Sequence, residues 1–159
     1  MILACLTLPA QTAAPAPAPA PTVRAQYAWG YEGPDGEGTG TLSLLVVPAT
    51  GRVVLELHGL GERLVLLEGD RASGYRVRVP RQKLDDHAAT LGELPLPFLP
   101  QVASPEALLA LLQTGAGPGV TVKAQDEQGP VKLHWQGRDA RGRTEQVWLT
   151  RKRWEEAPR

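Results

Sequence analysis

From residue 24 to residue 79 the chain repeats one pattern: about seven residues of alternating apolar and polar side chains, then a turn rich in Gly, Pro or Asp. Period two puts successive side chains on opposite faces of a strand, a pattern no helix can satisfy. Tyr27, Trp29 and Tyr31 share one face, with Gln26, Ala28 and Gly30 on the other, and Pro34-Asp35-Gly36 turns the chain. A second strand, about Gly40 to Val47, leads through Pro48-Ala49-Thr50-Gly51 to a third, where Val53, Leu55 and Leu57 alternate with Arg52, Glu56 and His58. Gly59-Leu60-Gly61 opens a fourth, Glu62 to Glu68, and Gly69-Asp70 a fifth carrying Tyr75, Val77 and Val79. Pro80 ends the run because it cannot donate to a ladder. Five consecutive hairpin-linked strands form a meander.

The middle of the chain breaks the rhythm. Leu84 to Leu91 is expected to form a short helix, and Leu94-Pro95-Leu96-Pro97-Phe98-Leu99-Pro100 an irregular segment, since its prolines lack amide donors. Ser104-Pro105-Glu106 is a strong helix start, with Ser as N-cap and Pro at the first helical position. Leu108, Leu109, Leu111 and Leu112 follow, and Gly115 suits a left-handed cap. Three further strands are expected at Val120 to Ala124, Val131 to Trp135 and Thr144 to Arg151. The fold class is therefore mainly β with a small α part: about eight antiparallel strands in a curved sheet or open half-barrel, with an inserted helical lid.

Residues 23–154 suit one domain, with 155–159 as a short tail. A domain of this size buries roughly two-thirds of its surface and folds without metal or disulfide. Seventeen basic residues balance seventeen acidic ones, which removes the long-range attraction that nucleic acid requires. A monomer without cofactor is expected.

Residues 1–22 cannot join the core. Ile2-Leu3-Ala4-Cys5 resembles a bacterial lipobox, which makes Cys5 the candidate lipidation site. The run lacks the basic flank and length of a complete secretory signal, so this reading expects a start upstream of Met1. Behind Cys5, the alternating Ala-Pro segment to Pro21 favours extended polyproline II; its seventeen residues span roughly 50 Å at ~3.1 Å each. That is the reach of a tether between a membrane anchor and a folded domain. The alternatives are a signal peptide cut near Ala13 or Ala14 and a ragged soluble N-terminus. The lipobox and the cleaved signal peptide both place the domain outside the cytoplasm.

The stretch from Leu91 to Leu112 is too apolar to face solvent, so it should pack on the concave face of the sheet. Two packings follow: a dry, filled core, or an incompletely filled bowl whose apolar cavity takes acyl chains.

The stretches Gly51 to Leu57, Tyr75 to Pro80, Leu94 to Leu99 and Ser104 to Gly115 make the pattern resemble the bacterial lipoprotein-localisation factors, the LolA/LolB-like carriers and receptors of the periplasm and outer membrane. This resemblance implies an open half-barrel under a proline-bearing lid, holding lipid or lipoprotein acyl chains against Trp29, Leu55, Leu57, Phe98, Leu108 and Leu112. It also implies a membrane-contacting apolar residue in a strand-connecting loop, a position that Leu60 fills here.

Other chemistry has weaker support. Ser73 lacks the first glycine of a nucleophile elbow and occupies a hairpin turn. His58-Gly59-Leu60-Gly61 reads as a strand end, and Asp85-Asp86-His87 as a solvated helix start without a second ligand cluster. Gly115 to Gly119 follows a helix, the wrong order for a phosphate cradle, and Asp35 to Thr39 has Val46 where a calcium loop needs glutamate. Arg138, Arg141, Arg143, Arg151 and Arg153 give a local positive balance that suits anionic headgroups or simply a solvated surface. The functional expectation is a non-enzymatic, membrane-anchored envelope lipoprotein that binds acyl chains under its lid. The alternative is a structural or protein-docking lipoprotein with a filled core, and a hydrolase comes third.

Overall fold

The computed structural model of the chain describes residues 13–15, 20–139 and 141–157. Cys5, and with it the lipidation expectation, lies outside them. Nine antiparallel strands follow in order: β1 Thr22–Gly33, β2 Gly36–Val47, β3 Arg52–Gly59, β4 Glu62–Asp70, β5 Gly74–Val79, β6 Leu84–Ala88, β7 Val120–Asp126, β8 Gly129–Arg138 and β9 Thr144–Ala157. Among the described residues one α-helix, α1 (Pro105–Thr114), sits between β6 and β7. The strands form one open sheet in the order β6-β5-β4-β3-β2-β1-β9-β8-β7. Each neighbouring pair but β1–β9 is a hairpin or short link, so the first and last strands join two meanders at the middle of the sheet.

The expectation of a curved, mainly β sheet with an inserted helix holds. The expected helix at Leu84 to Leu91 does not: Leu84–Ala88 is β6, paired to β5, and only Leu91–Glu93 makes a 3-10 turn. Asp85 and Asp86 are exposed on this edge strand, and Arg76 of β5 holds the Asp85 carboxylate through two hydrogen bonds of 2.7 and 2.6 Å. Charged side chains on an edge deter further strand pairing. At the other end of the chain, Glu155, Glu156 and Ala157, expected in the tail, complete β9 opposite Arg24, Val23 and Thr22.

The alternation works as the sequence implies. Tyr27, Trp29 and Tyr31 of β1, Leu42 and Leu44 of β2, Leu55 and Leu57 of β3 and Val77 of β5 all point to one buried face. Irregularities at Gln26/Tyr27 and Leu57/His58 add local twist, which curves the sheet into a bowl. Gly40 allows the close coil beside β3, where any Cβ would lie 1.8 Å from the His58 carbonyl oxygen.

The lid fills the bowl. The Ser104 hydroxyl accepts the Ala107 amide at 3.1 Å, and Gly115, in the left-handed region at φ 72°, closes α1 by donating to the Leu111 carbonyl. Leu108, Leu109, Leu111 and Leu112 are all buried, in one continuous core with Leu91, Leu94, Leu96, Leu99 and Val102. In the strap leading to α1, Gln101 substitutes for the donors that proline lacks: its side chain donates to the Leu94 carbonyl and accepts from the Leu96 amide. An Arg71–Glu106 ion pair ties the β4–β5 turn to the start of α1.

Candidate functional site

Strand direction sorts the connections to two ends of the sheet. The β1–β2, β3–β4 and β8–β9 hairpins, the β5–β6 link and the proline strap gather at one end; the strand starts at Thr22 and the β2–β3 and β4–β5 turns lie at the other. β1 therefore begins at the end opposite the hairpins that carry Asp35, Leu60 and Arg143.

At the hairpin end a cleft of about 680 Å³ opens between the strap and the β8–β9 loop. Pro95, Pro97, Phe98 and Trp135 supply apolar walls, and Arg138, Arg141 and Arg143 the polar rim. Tyr31 and Glu145 lie inside, the phenol donating to the carboxyl at 3.1 Å. Gly33 makes room for that phenol, since a Cβ there would fall 2.2 Å from its oxygen. Only 8 % of Glu145 is exposed, and burial, the larger effect, pushes its carboxyl above the usual carboxylate range while the Tyr31 hydroxyl pulls it back. Burial and the bond to Glu145 together raise the Tyr31 phenol. Both groups therefore retain their protons to higher pH than they would in water.

Of the rim arginines, Arg143 alone is in an ion pair among the described residues. Arg143 pairs with Asp139 at 2.7 Å and reaches Asp35 at 3.4 Å, and Arg138 donates to the Gly142 carbonyl at 2.7 Å. Asp139 also accepts the Arg141 and Arg143 amides, which holds its carboxyl below the usual range. Neither Arg138 nor Arg141 has an ion-pair partner among the described residues. Of the other arginines of the local positive balance, Arg151 pairs with Asp126 and Arg153 with Glu155.

The residues expected to hold acyl chains do not line one space. Leu55, Leu108 and Leu112 line an apolar void under the lid of about 30 Å³, the room of about one water molecule. Leu57 is fully buried against its neighbours and lines neither this void nor the cleft. Trp29 and Phe98 sit at the hairpin end, on a separate 140 Å³ pocket. The bowl is thus filled by the protein's own leucines. Leu96 and Leu99 line both the open cleft and the void beneath the lid, so the strap is the partition between them.

Leu60 stands at the tip of the β3–β4 hairpin, 93 % exposed, with φ 49° at Leu60 and 81° at Gly61. Positive φ at both central residues marks a tight hairpin turn that favours Asn or Gly at the first position. Leucine here is therefore both strained and solvated. Asp85, Asp86 and His87 alternate along the β6 edge, and Ser73 lies in the β4–β5 turn with its amide on Asp70.

Reading the sequence missed Glu145 and Trp148. The signal for Glu145 was its phase: it falls on the same face of β9 as Val147 and Leu149, where a charged residue is out of place. No protein-family model matches the chain, and no curated protein matches it.

Proposed function

We propose that the chain is a non-enzymatic envelope lipoprotein that binds lipid or lipoprotein acyl chains, with the proline strap as the movable wall of its site. One observation carries this reading: Leu96 and Leu99 separate a 680 Å³ cleft from a leucine-lined interior, so moving the strap joins the two. A ligand that prefers the joined state shifts the population toward it by its differential affinity. The acyl chain would lie against Leu55, Leu108 and Leu112, with its polar head toward Arg141. Trp29 and Phe98 would act as the latch of the strap, and Leu57 as packing beneath. Leu60 would contact the membrane, with the Ala-Pro tether and a lipid on Cys5 as the anchor. The 680 Å³ cleft is of the size that small-molecule sites occupy.

The filled interior favours a second reading, an envelope lipoprotein with a structural or protein-docking role and no small ligand. Native mass spectrometry of the full chain separates the two. Co-purifying lipid that is lost on Leu108→Glu is expected under the first reading. A chain that stays lipid-free after incubation with phospholipid micelles supports the second.

A further inference from the structure

On the convex face of the sheet, residues Gly30, His134 and Trp148 form a row across β1, β9 and β8. The Trp148 indole stacks on the His134 ring, with centroids 5.2 Å apart and planes 23° from parallel. His134 is in turn fixed by a 2.8 Å hydrogen bond with Gln146. On the other side of the indole the neighbour is Gly30, which has no side chain to cover it, and 37 % of Trp148 remains exposed. A groove of about 410 Å³ opens there, lined by Gly30, Glu32, Glu37, Thr39, Leu60 and Trp148 among others.

Glu32 and Glu37 lie directly opposite each other on β1 and β2. Like charges in that position destabilise a sheet pair. Neither carboxylate has an ion-pair or hydrogen-bond partner among the described residues. The groove thus joins an open aromatic face, pre-oriented by His134, to two unneutralised carboxylates, a combination that attracts an organic cation: the ring quadrupole takes its apolar, charged surface and the carboxylates its charge.

We propose that this groove binds the ammonium head of an organic cation, a quaternary or primary alkylammonium carried by a soluble amine or by a zwitterionic phospholipid. The site lies on the face opposite the lid and does not depend on acyl chains entering the bowl.

The test is titration of the full chain with choline chloride, against sodium chloride at equal ionic strength, followed through the Trp148 indole N–H resonance. Sedimentation with phosphatidylcholine and phosphatidylglycerol vesicles runs in parallel. Saturable choline binding in the millimolar range is expected, weakened about tenfold by the double change Glu32→Gln, Glu37→Gln. Gly30→Val should abolish binding while preserving the fold, because a Cβ at Gly30 sits 3.7 Å from the indole in ordinary contact and the added methyls fill the groove. Choline binding together with choline-sensitive binding to phosphatidylcholine vesicles assigns the headgroup as a source; choline binding alone assigns a soluble amine. No saturable shift with choline, or a shift that survives both Gly30→Val and the double Gln change, overturns the proposal. Vesicle binding that ignores choline excludes the headgroup as the source and leaves the soluble amine.

Discussion

The Trp29 indole donates its N–H to the Phe98 carbonyl at 3.0 Å, across sixty-nine residues of chain, while Phe98 holds φ at 65°. The left-handed region costs a bulky residue on the order of 1–2 kcal/mol. The hydrogen bond and the edge-to-face contacts of Phe98 with Tyr31 at 5.1 Å and Trp29 at 6.4 Å offset that cost. The strap is therefore held at one point by a bond whose removal frees a strained residue.

Trp29→Phe keeps an aromatic ring and deletes the donor. It should lower unfolding free energy by about 1–2 kcal/mol. Amide exchange should accelerate in residues 94–102 more than in β3 and β4. Strap amides that exchange no faster than those of β3 would show that this bond does not restrain the strap.

Glu145 makes stability depend on pH in a defined direction. Its folded pKa lies above the unfolded value, so the folded state binds more protons between the two. Its stabilising contribution is complete below the unfolded carboxylate pKa and is lost as pH rises through the raised value. Glu145→Gln should accordingly be more stable than the parent at neutral pH and equal to it in acid, measured as urea midpoints across a pH series. Asp70, Asp85, Asp126, Asp139 and Glu56 are held below their ordinary values and act oppositely, their stabilisation fading as pH falls.

Two leucines three residues apart should respond in opposite ways. Leu57 is fully buried, so Leu57→Ala should cost about 2–5 kcal/mol. Leu60→Asn places a residue that tolerates positive φ at an exposed turn position and should raise stability by up to about 1 kcal/mol. The same change should reduce binding to phospholipid vesicles if Leu60 contacts membrane. Unchanged vesicle binding would remove that role.

Tyr27 is fully buried, and its hydroxyl has no hydrogen-bond partner among the described residues. Tyr27→Phe should therefore raise the melting temperature, with a gain of up to about 1 kcal/mol from deleting a desolvated polar group. A clear loss of stability would mean that a bound water serves the hydroxyl.

Strands with one wet and one dry face were legible because alternation records the two environments directly: Tyr27, Trp29 and Tyr31 against Gln26, Ala28 and Gly30, or Val53, Leu55 and Leu57 against Arg52, Glu56 and His58. The ends of α1 were equally legible, since Ser104, Pro105 and Gly115 meet local backbone needs. β6 was not legible. Its exposed Asp85, Asp86 and His87 leave no apolar phase, and it is a strand because β5 offers a free edge and Arg76 a partner for Asp85.

The chain's own pattern thus determined an antiparallel sheet with a leucine-rich insertion on its apolar face, because periodicity and capping act over a few residues. The pairing of β1 with β9, the filling of the bowl by the lid, the Tyr31–Glu145 contact and the open face of Trp148 were decided only by tertiary structure. Each joins or exposes residues far apart in sequence, and no local propensity reports whether a distant side chain arrives to fill a space or leaves it empty.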